Sequence, residues 1–208
     1  RRERQAPLFA PLDNDHRVLV RERRENSQVY VSLAVPAFPF ADSRRCALGV
    51  LGAAFGGATS SRLFQRLREN EGFLYSVWTG AELFSDTGLF EIHLNTDRKK
   101  LPRALEIVRA EWDRLRKHGI DSNEFRTAVS YTKGNLVLSH ESLMARMMRL
   151  AGGQLLLGRP LPLEEQIAQL GALETSHLDA VLEQFNKAEG FYVGAAGPIT
   201  EEELRALL

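Results

Sequence analysis

The chain has 208 residues, of which 44% are hydrophobic and 26% are charged, and its 27 basic residues balance its 27 acidic ones. This composition is typical of a folded globular protein, so we expect disorder only at the ends and in loops. Without a basic excess the chain does not resemble a nucleic-acid binder, and no apolar run approaches the roughly 18 residues of a membrane span.

The N-terminal third of the chain predicts strands. Residues 1–16 contain two prolines and no periodicity, which indicates a linker or an extended arm. A short apolar run at 18–20 precedes a polar turn, and residues 28–35 alternate between apolar and polar side chains as a half-buried strand does. We predict that these two runs pair as a hairpin. A second hairpin is predicted at 74–94 around the turn Asp86-Thr87-Gly88.

Most of the remaining chain predicts helices. A first helix at 42–55 has Asp42 or Ser43 as its N-cap, and we expect Gly56-Gly57 to end it as a left-handed cap. A short helix follows from Thr59 or Ser60. The later predicted elements are helices at 101–117, 121–139, 142–157, 163–170 and 176–185 and a strand at 191–195. This order predicts one α+β domain at 17–208, with a mostly antiparallel mixed sheet and helices mainly on one face.

Several catalytic patterns are absent from the sequence. No two of the five histidines are spaced i,i+4 or lie in H-E-x-x-H or H-x-x-E-H, the spacings that aim two imidazoles at one zinc ion. The single cysteine, Cys46, has no partner at metal-site spacing and cannot form an intrachain disulfide. Ser139, His140 and Glu141 are adjacent and would point about 100° apart on a helix, so they cannot form a triad. We therefore predict no metal and no cofactor in this chain.

The segment GGATSSRLFQRLRENEGFLYSV at 56–77 is the most informative part of the chain. It closely resembles the C-terminal halves of pitrilysin, insulin-degrading enzyme and mitochondrial processing peptidase. Those halves have a glycine-rich loop followed by S-R-L-F, L-R-E and G-x-x-Y-S-V. The hairpin at 86–90 and the helix starts near 119–124 and 173–178 are also similar to that family, and the resemblance runs from about residue 17 to 195.

The resemblance implies a two-halved zinc endopeptidase that closes around a peptide, with the fold of processing-peptidase-like metallohydrolases. The zinc motif belongs to the N-terminal half, which would be a partner on the same gene product or a separate subunit. The C-terminal half supplies an Arg and a Tyr seven residues apart, which Arg68 and Tyr75 match. A guanidinium and a phenol are donors that can hold a substrate carbonyl. Alone, this chain would be inactive.

Other interpretations stay open at the level of sequence. Arg68 could be a surface residue paired with Glu69 or Glu71, and Tyr75 could be an ordinary strand aromatic. The chain could be a scaffolding or binding homologue, like the core subunits of the respiratory bc1 complex, or an unrelated α+β ligand-binding domain. The bacterial cytoplasm and periplasm are both compatible with the composition. Because the chain begins at Arg1, we expect it to be a piece of a longer gene product, and its visible sequence has no signal peptide.

Overall fold

A computed structural model describes residues 17–70 and 74–208, without the side chains of residues 68–70, 74 and 75. The arm predicted at 1–16 lies outside the described residues. Five strands form one sheet in the spatial order β1-β5-β2-β4-β3. Their bounds are β1 Val18–Glu22, β2 Val29–Pro36, β3 Leu74–Leu83, β4 Gly88–Thr96 and β5 Tyr192–Gly197. Only β1 and β5 run parallel, which confirms the predicted mixed and mostly antiparallel sheet.

The helices agree with the α+β prediction. Two of them, α1 and α2, continue directly as π-helical segments, Ala53–Gly57 and Gln65–Asn70. None of the helices that the structure describes combines the length and hydropathy needed to cross a membrane. Their bounds are α1 Arg45–Gly52, α2 Arg62–Phe64, α3 Leu101–His118, α4 Ser122–Ser139, α5 Leu143–Leu157, α6 Leu163–Gly171, α7 Ser176–Asn186 and α8 Glu201–Leu207.

The two faces of the sheet have different environments, as the alternating sequence predicts. Alternate side chains of β2, β3, β4 and β5 are buried beneath the helices, and the residues between them are more exposed. On the covered face, Phe90 packs against Trp112 and Phe185 with ring centroids 5.9 and 5.0 Å away. These rings join the sheet to α3 and α7, so the aromatic cluster holds the two layers together. The buried residues of β2 on this face are Val29, Val31, Leu33 and Val35.

The predicted hairpin between β1 and β2 is wrong, because β5 lies between these strands. Val18 pairs in parallel with Val193, and Val31 pairs with Ala195 in the antiparallel direction. The turn from β1 to β2 instead crosses the end of β5, where a Cβ atom at Gly197 would lie 2.5 Å from the carbonyl oxygen of Gln28. The pairing of Val18 with Val193 joins residues 175 positions apart. Rules for local turns do not predict such a non-local contact. The hairpin of β3 and β4 is confirmed.

The sequence predicted where helices begin and end better than it predicted which strands pair. Asp121 caps α4 in a capping box with Glu124, and Gly119 ends α3 with a φ of 64°. The left-handed cap at Gly56-Gly57 is wrong, because neither glycine has a positive φ among those that the structure describes. Helix α8 is an addition to the predicted elements, although its capping box at Thr200 is visible in the sequence.

Candidate functional site

The glycine-rich end of the first helix lies directly against strand β3. A Cβ atom at Gly56 would lie 2.5 Å from Cγ2 of Thr79, and one at Gly57 would lie 3.4 Å from the Thr79 carbonyl oxygen. The buried Thr79 hydroxyl donates a hydrogen bond of 2.7 Å to the carbonyl oxygen of Gly52. The glycines are therefore needed because the backbone of the helix end approaches the strand closely, and this contact fixes where the next segment begins.

Arg62 anchors the start of the helical segment that leads to Arg68. Its guanidinium donates to both carboxylate oxygens of Glu124, and its Nη2 also donates to the carbonyl oxygen of Gly119 at 2.8 Å. The hydrogen bonds with Glu124 raise the pKa of Arg62 above its ordinary value. Glu124 also accepts the backbone N–H of Asp121 at 2.8 Å. One carboxylate thus ties the start of α2 to the corner between α3 and α4, with a bidentate geometry that lysine could not reproduce.

Arg68 and Tyr75 fall on elements that are described only in their backbone. Arg68 belongs to the π-helical segment Gln65–Asn70, and Tyr75 belongs to β3. The ladder with β4 pairs Leu74 with Thr96 and Ser76 with Asn95, so Tyr75 is the extra residue of a β-bulge. The side chains of both residues lie outside the described part of the chain. Their convergence on one substrate region stays a prediction.

The sheet face that no described helix covers, which we name the bare face, carries a cluster of aromatic and polar side chains. The cluster lies near the end of β3 that contains Tyr75. Trp78 and His93 are cross-strand partners whose rings stack at 5.2 Å, and Trp78 is 50% exposed. Tyr30 of β2 is 52% exposed on the same face. These side chains border a shallow depression of about 390 Å³ that we name the open-face depression; its lining includes Tyr30, Ser32, Ser76, Trp78, His93 and Asn95.

Hydrogen bonds hold the polar side chains beside this depression. The Ser76 hydroxyl donates to Oδ1 of Asn95 at 2.5 Å, and Nδ2 of Asn95 donates to Oε1 of Gln28 at 2.8 Å. Nε2 of His93 lies 3.4 Å from a carboxylate oxygen of Glu91. Sequence reasoning did not identify Trp78 as part of a candidate site. The alternation of the strand could have identified it, because residues two apart, such as Ser76 and Trp78, lie on the same face of a strand.

Metal ligands do not converge in the described residues. No group of three or more His, Cys, Asp or Glu side chains that could hold a metal ion occurs in residues 17–70 and 74–208. The described chain therefore does not fit zinc.

Ser139 and His140, which the sequence places side by side, both contact Arg149. Its guanidinium donates to the Ser139 hydroxyl at 2.6 Å and lies 2.8 Å from Nδ1 of His140. These contacts join the end of α4 to α5.

Comparison with known proteins identifies the family. The model of the peptidase M16 inactive domain matches residues 2–131, which is more than half of the chain. The chain belongs to the peptidase M16 family. This confirms the resemblance seen at 56–77. An uncharacterized zinc protease of Streptomyces coelicolor is 34% identical over 76% of this M16 domain, which spans only 34% of that protein's length.

Solved structures share the fold of the M16 domain. The peptidase M16 inactive domain from Pseudomonas fluorescens is similar with a TM-score of 0.70 and 23% identity, covering 88% of this chain and 44% of that one. A chain of complex III2 from Candida albicans has a TM-score of 0.78 and 18% identity, covering 91% of this chain and 48% of that one. The part matched by this M16 domain is thus less than half of each of these longer chains.

Proposed function

We propose that this M16 domain forms one wall of the substrate chamber of a two-halved zinc endopeptidase, whose metal is held by the other half. The observation that carries the proposal is the sheet face that no described helix covers. It combines a shallow depression, two half-exposed aromatic rings and satisfied polar side chains. Such a surface suits reversible contact with peptides, because aromatic rings bind varied side chains and the polar groups remain hydrated.

Arg68 and Tyr75 are the proposed substrate contacts. Tyr75 precedes Trp78 by three residues on the edge strand β3, so the proposed contact and the open-face depression share one element. Arg68 is carried by the helical segment that Arg62 anchors. A guanidinium and a phenol both donate hydrogen bonds, and donors aimed at a carbonyl oxygen that gains negative charge lower the barrier to hydrolysis.

A second candidate is a scaffolding or binding homologue without hydrolysis. The observation that favours it is the TM-score of 0.78 with a chain of complex III2, which means that a chain of that complex shares this fold. The two candidates differ in the partner half. A complete zinc motif there favours the peptidase, and a degenerate one favours the scaffold.

The test is peptide hydrolysis by the M16 domain reassembled with its zinc-bearing half. Tyr75→Phe removes one hydroxyl, and Arg68→Lys keeps the charge but loses the planar fork. We expect each variant to lower kcat by roughly 10²-fold, as the loss of one oxyanion donor does, with little change in Tm.

Matched controls separate these contacts from general effects. Tyr192→Phe removes a hydroxyl from a strand tyrosine that does not line the open-face depression, and Arg66→Lys makes the same change two residues before Arg68 while keeping the charge that pairs with the buried Glu111. Both controls should retain full turnover. Normal kcat in Tyr75→Phe and Arg68→Lys would refute the proposed contacts. A reassembled wild type that binds peptide and never cleaves it would support the scaffold.

A further inference from the structure

Helix α5 exposes a continuous apolar surface that the described part of the fold leaves uncovered. Its only buried residue is Gly153, where a Cβ atom would lie 3.0 Å from the backbone of the following loop. All three methionines of the chain lie on this helix. Large apolar side chains that are between 52% and 79% exposed define what we name the α5 stripe: Leu143, Met144, Met147, Met148, Leu150 and Leu155.

The α5 stripe has the geometry of a helix-packing surface. At about 100° per residue its members occupy an arc of roughly 160°, wider than the ~100° stripe that an amphipathic helix usually buries. They form two rows, the first with spacings of four and three residues and the second with spacings of four and seven. One row contains Leu143, Met147 and Leu150, and the other contains Met144, Met148 and Leu155. Rows of this kind are the ridges that interlock with a neighbouring element.

The size of the surface fits a stable interface. With on the order of 100 Å² exposed per side chain, the six residues of the stripe present on the order of 600 Å². A stable interface buries about 600–1,000 Å² on each partner, and the largest apolar patch on a typical monomer is about 300–600 Å², so the stripe reaches the size of an interface.

The charges beside the stripe favour a different polypeptide over a second copy. Residues 142–157 contain two arginines, Arg146 and Arg149, and no acidic residue. No ion pair joins either arginine to a carboxylate in the part of the chain that the structure describes. At 100° per residue Arg146 lies beside Leu150 at the edge of the stripe, whereas Arg149 is on the opposite side of the helix and contacts Ser139 and His140. A two-fold contact of α5 with itself would bring no carboxylate to Arg146, because the helix has none. A partner with carboxylates around an apolar patch would pair it. Two arginines are also fewer than a lipid-binding helix usually carries.

We propose that the α5 stripe is the surface on which this domain docks the other half of the M16 protein. This rests on the proposed function for the existence of a zinc-bearing half. The occupant presents an apolar surface facing the two methionine-containing rows, with a carboxylate placed opposite Arg146. The proposal agrees with the lengths of the similar chains, of which this domain covers 34% to 48%. A permanent partner would bury a surface that is more apolar than the open-face depression.

The experiment measures association of the 208-residue chain with the zinc-bearing half, produced as a separate chain, by sedimentation or calorimetry without peptide. We expect Met144→Lys/Met148→Lys to weaken association at least 100-fold, because two charges would enter an apolar contact. Arg146→Glu should weaken it roughly tenfold and reduce its salt dependence. Phe84→Lys, at a 45% exposed position in the turn between β3 and β4 and outside the open-face depression, is the matched control and should bind like the wild type.

Three further measurements decide between occupants. A wild-type homodimer that the double lysine variant abolishes would assign the stripe to a second copy, and loss of binding to anionic phospholipid vesicles in that variant would assign it to a membrane. Faster methionine oxidation after removal of residues 1–16 would assign it to the N-terminal arm. Each result would overturn the docking proposal, as would unchanged affinity for the zinc-bearing half. The two proposals can fail separately. If the stripe variants bind the zinc-bearing half normally, the docking proposal is wrong. The proposed substrate contact would still hold if Tyr75→Phe binds that half normally and does not cleave peptide.

Discussion

The two faces of the sheet use aromatic side chains in different ways. On the covered face, Phe90 is 1% exposed and contacts two further rings beneath the helices. On the bare face, Trp78 of the neighbouring strand is 50% exposed, stacks on His93 and lies across Gly80, where a Cβ atom would be 2.4 Å from the indole. The first ring holds the layers together. The second packs only against its own sheet and remains available to a ligand.

Removing a ring from the covered face should have the largest effect on stability. Phe90→Ala would leave a cavity between β4, Trp112 and Phe185, and Phe-to-Ala changes in cores cost about 3–5 kcal/mol. We expect the free energy of unfolding in urea to fall by that amount. A loss below about 1 kcal/mol would contradict the assignment of this face as the core. Phe90→Leu, which fills part of the volume, should recover much of the loss.

A methyl group added beneath the same face should have a smaller effect. Gly56→Ala would place its Cβ 2.5 Å from Cγ2 of Thr79, and overpacking of this kind costs about 1–3 kcal/mol. The double variant with Thr79→Ser removes the clashing methyl and keeps the hydroxyl that donates to Gly52. It should therefore be less destabilised than the sum of the two single changes in thermal unfolding. Additive losses would show that Gly56 does not contact Thr79.

Removing the ring from the bare face should have the smallest effect. Trp78→Ala loses one cross-strand pair, and such pairs contribute about 0.2–1 kcal/mol. The free energy of unfolding should therefore fall by no more than about 1 kcal/mol, several times less than for Phe90→Ala. Weaker peptide binding with a nearly unchanged Tm would sharpen the distinction between the two faces. A large loss of stability with unchanged peptide affinity would remove Trp78 from the candidate site.

The bare sheet face and the α5 stripe also differ in a way that bears on function. Polar side chains beside the open-face depression form hydrogen bonds with one another, whereas the stripe is apolar and is flanked by Arg146, which pairs with no carboxylate in the described chain. A hydrated surface with its own polar contacts suits a ligand that binds and leaves. An apolar surface of interface size suits a partner that stays.

Local sequence signals determined much of the fold. The alternation of residues 28–35 assigned the buried side of β2, the turn at 86–88 assigned the hairpin of β3 and β4, and the box of Asp121 and Glu124 assigned the start of α4. Each depends on contacts between residues close in the chain or on the period of one element. The motif at 56–77 identified the family, because its residue types and spacing are specific enough without structure.

Only the tertiary structure decided which distant elements meet. The position of β5 between β1 and β2, the contact of Gly56 with Thr79 and the link from Arg62 to Glu124 join residues between 23 and 175 positions apart. The sequence predicted α5 as a helix, and its periodicity determines which residues share a face. Periodicity does not determine what covers that face, because burial depends on the packing of the whole chain and of its partners. That is why the apolar stripe of α5 became visible only in the folded domain.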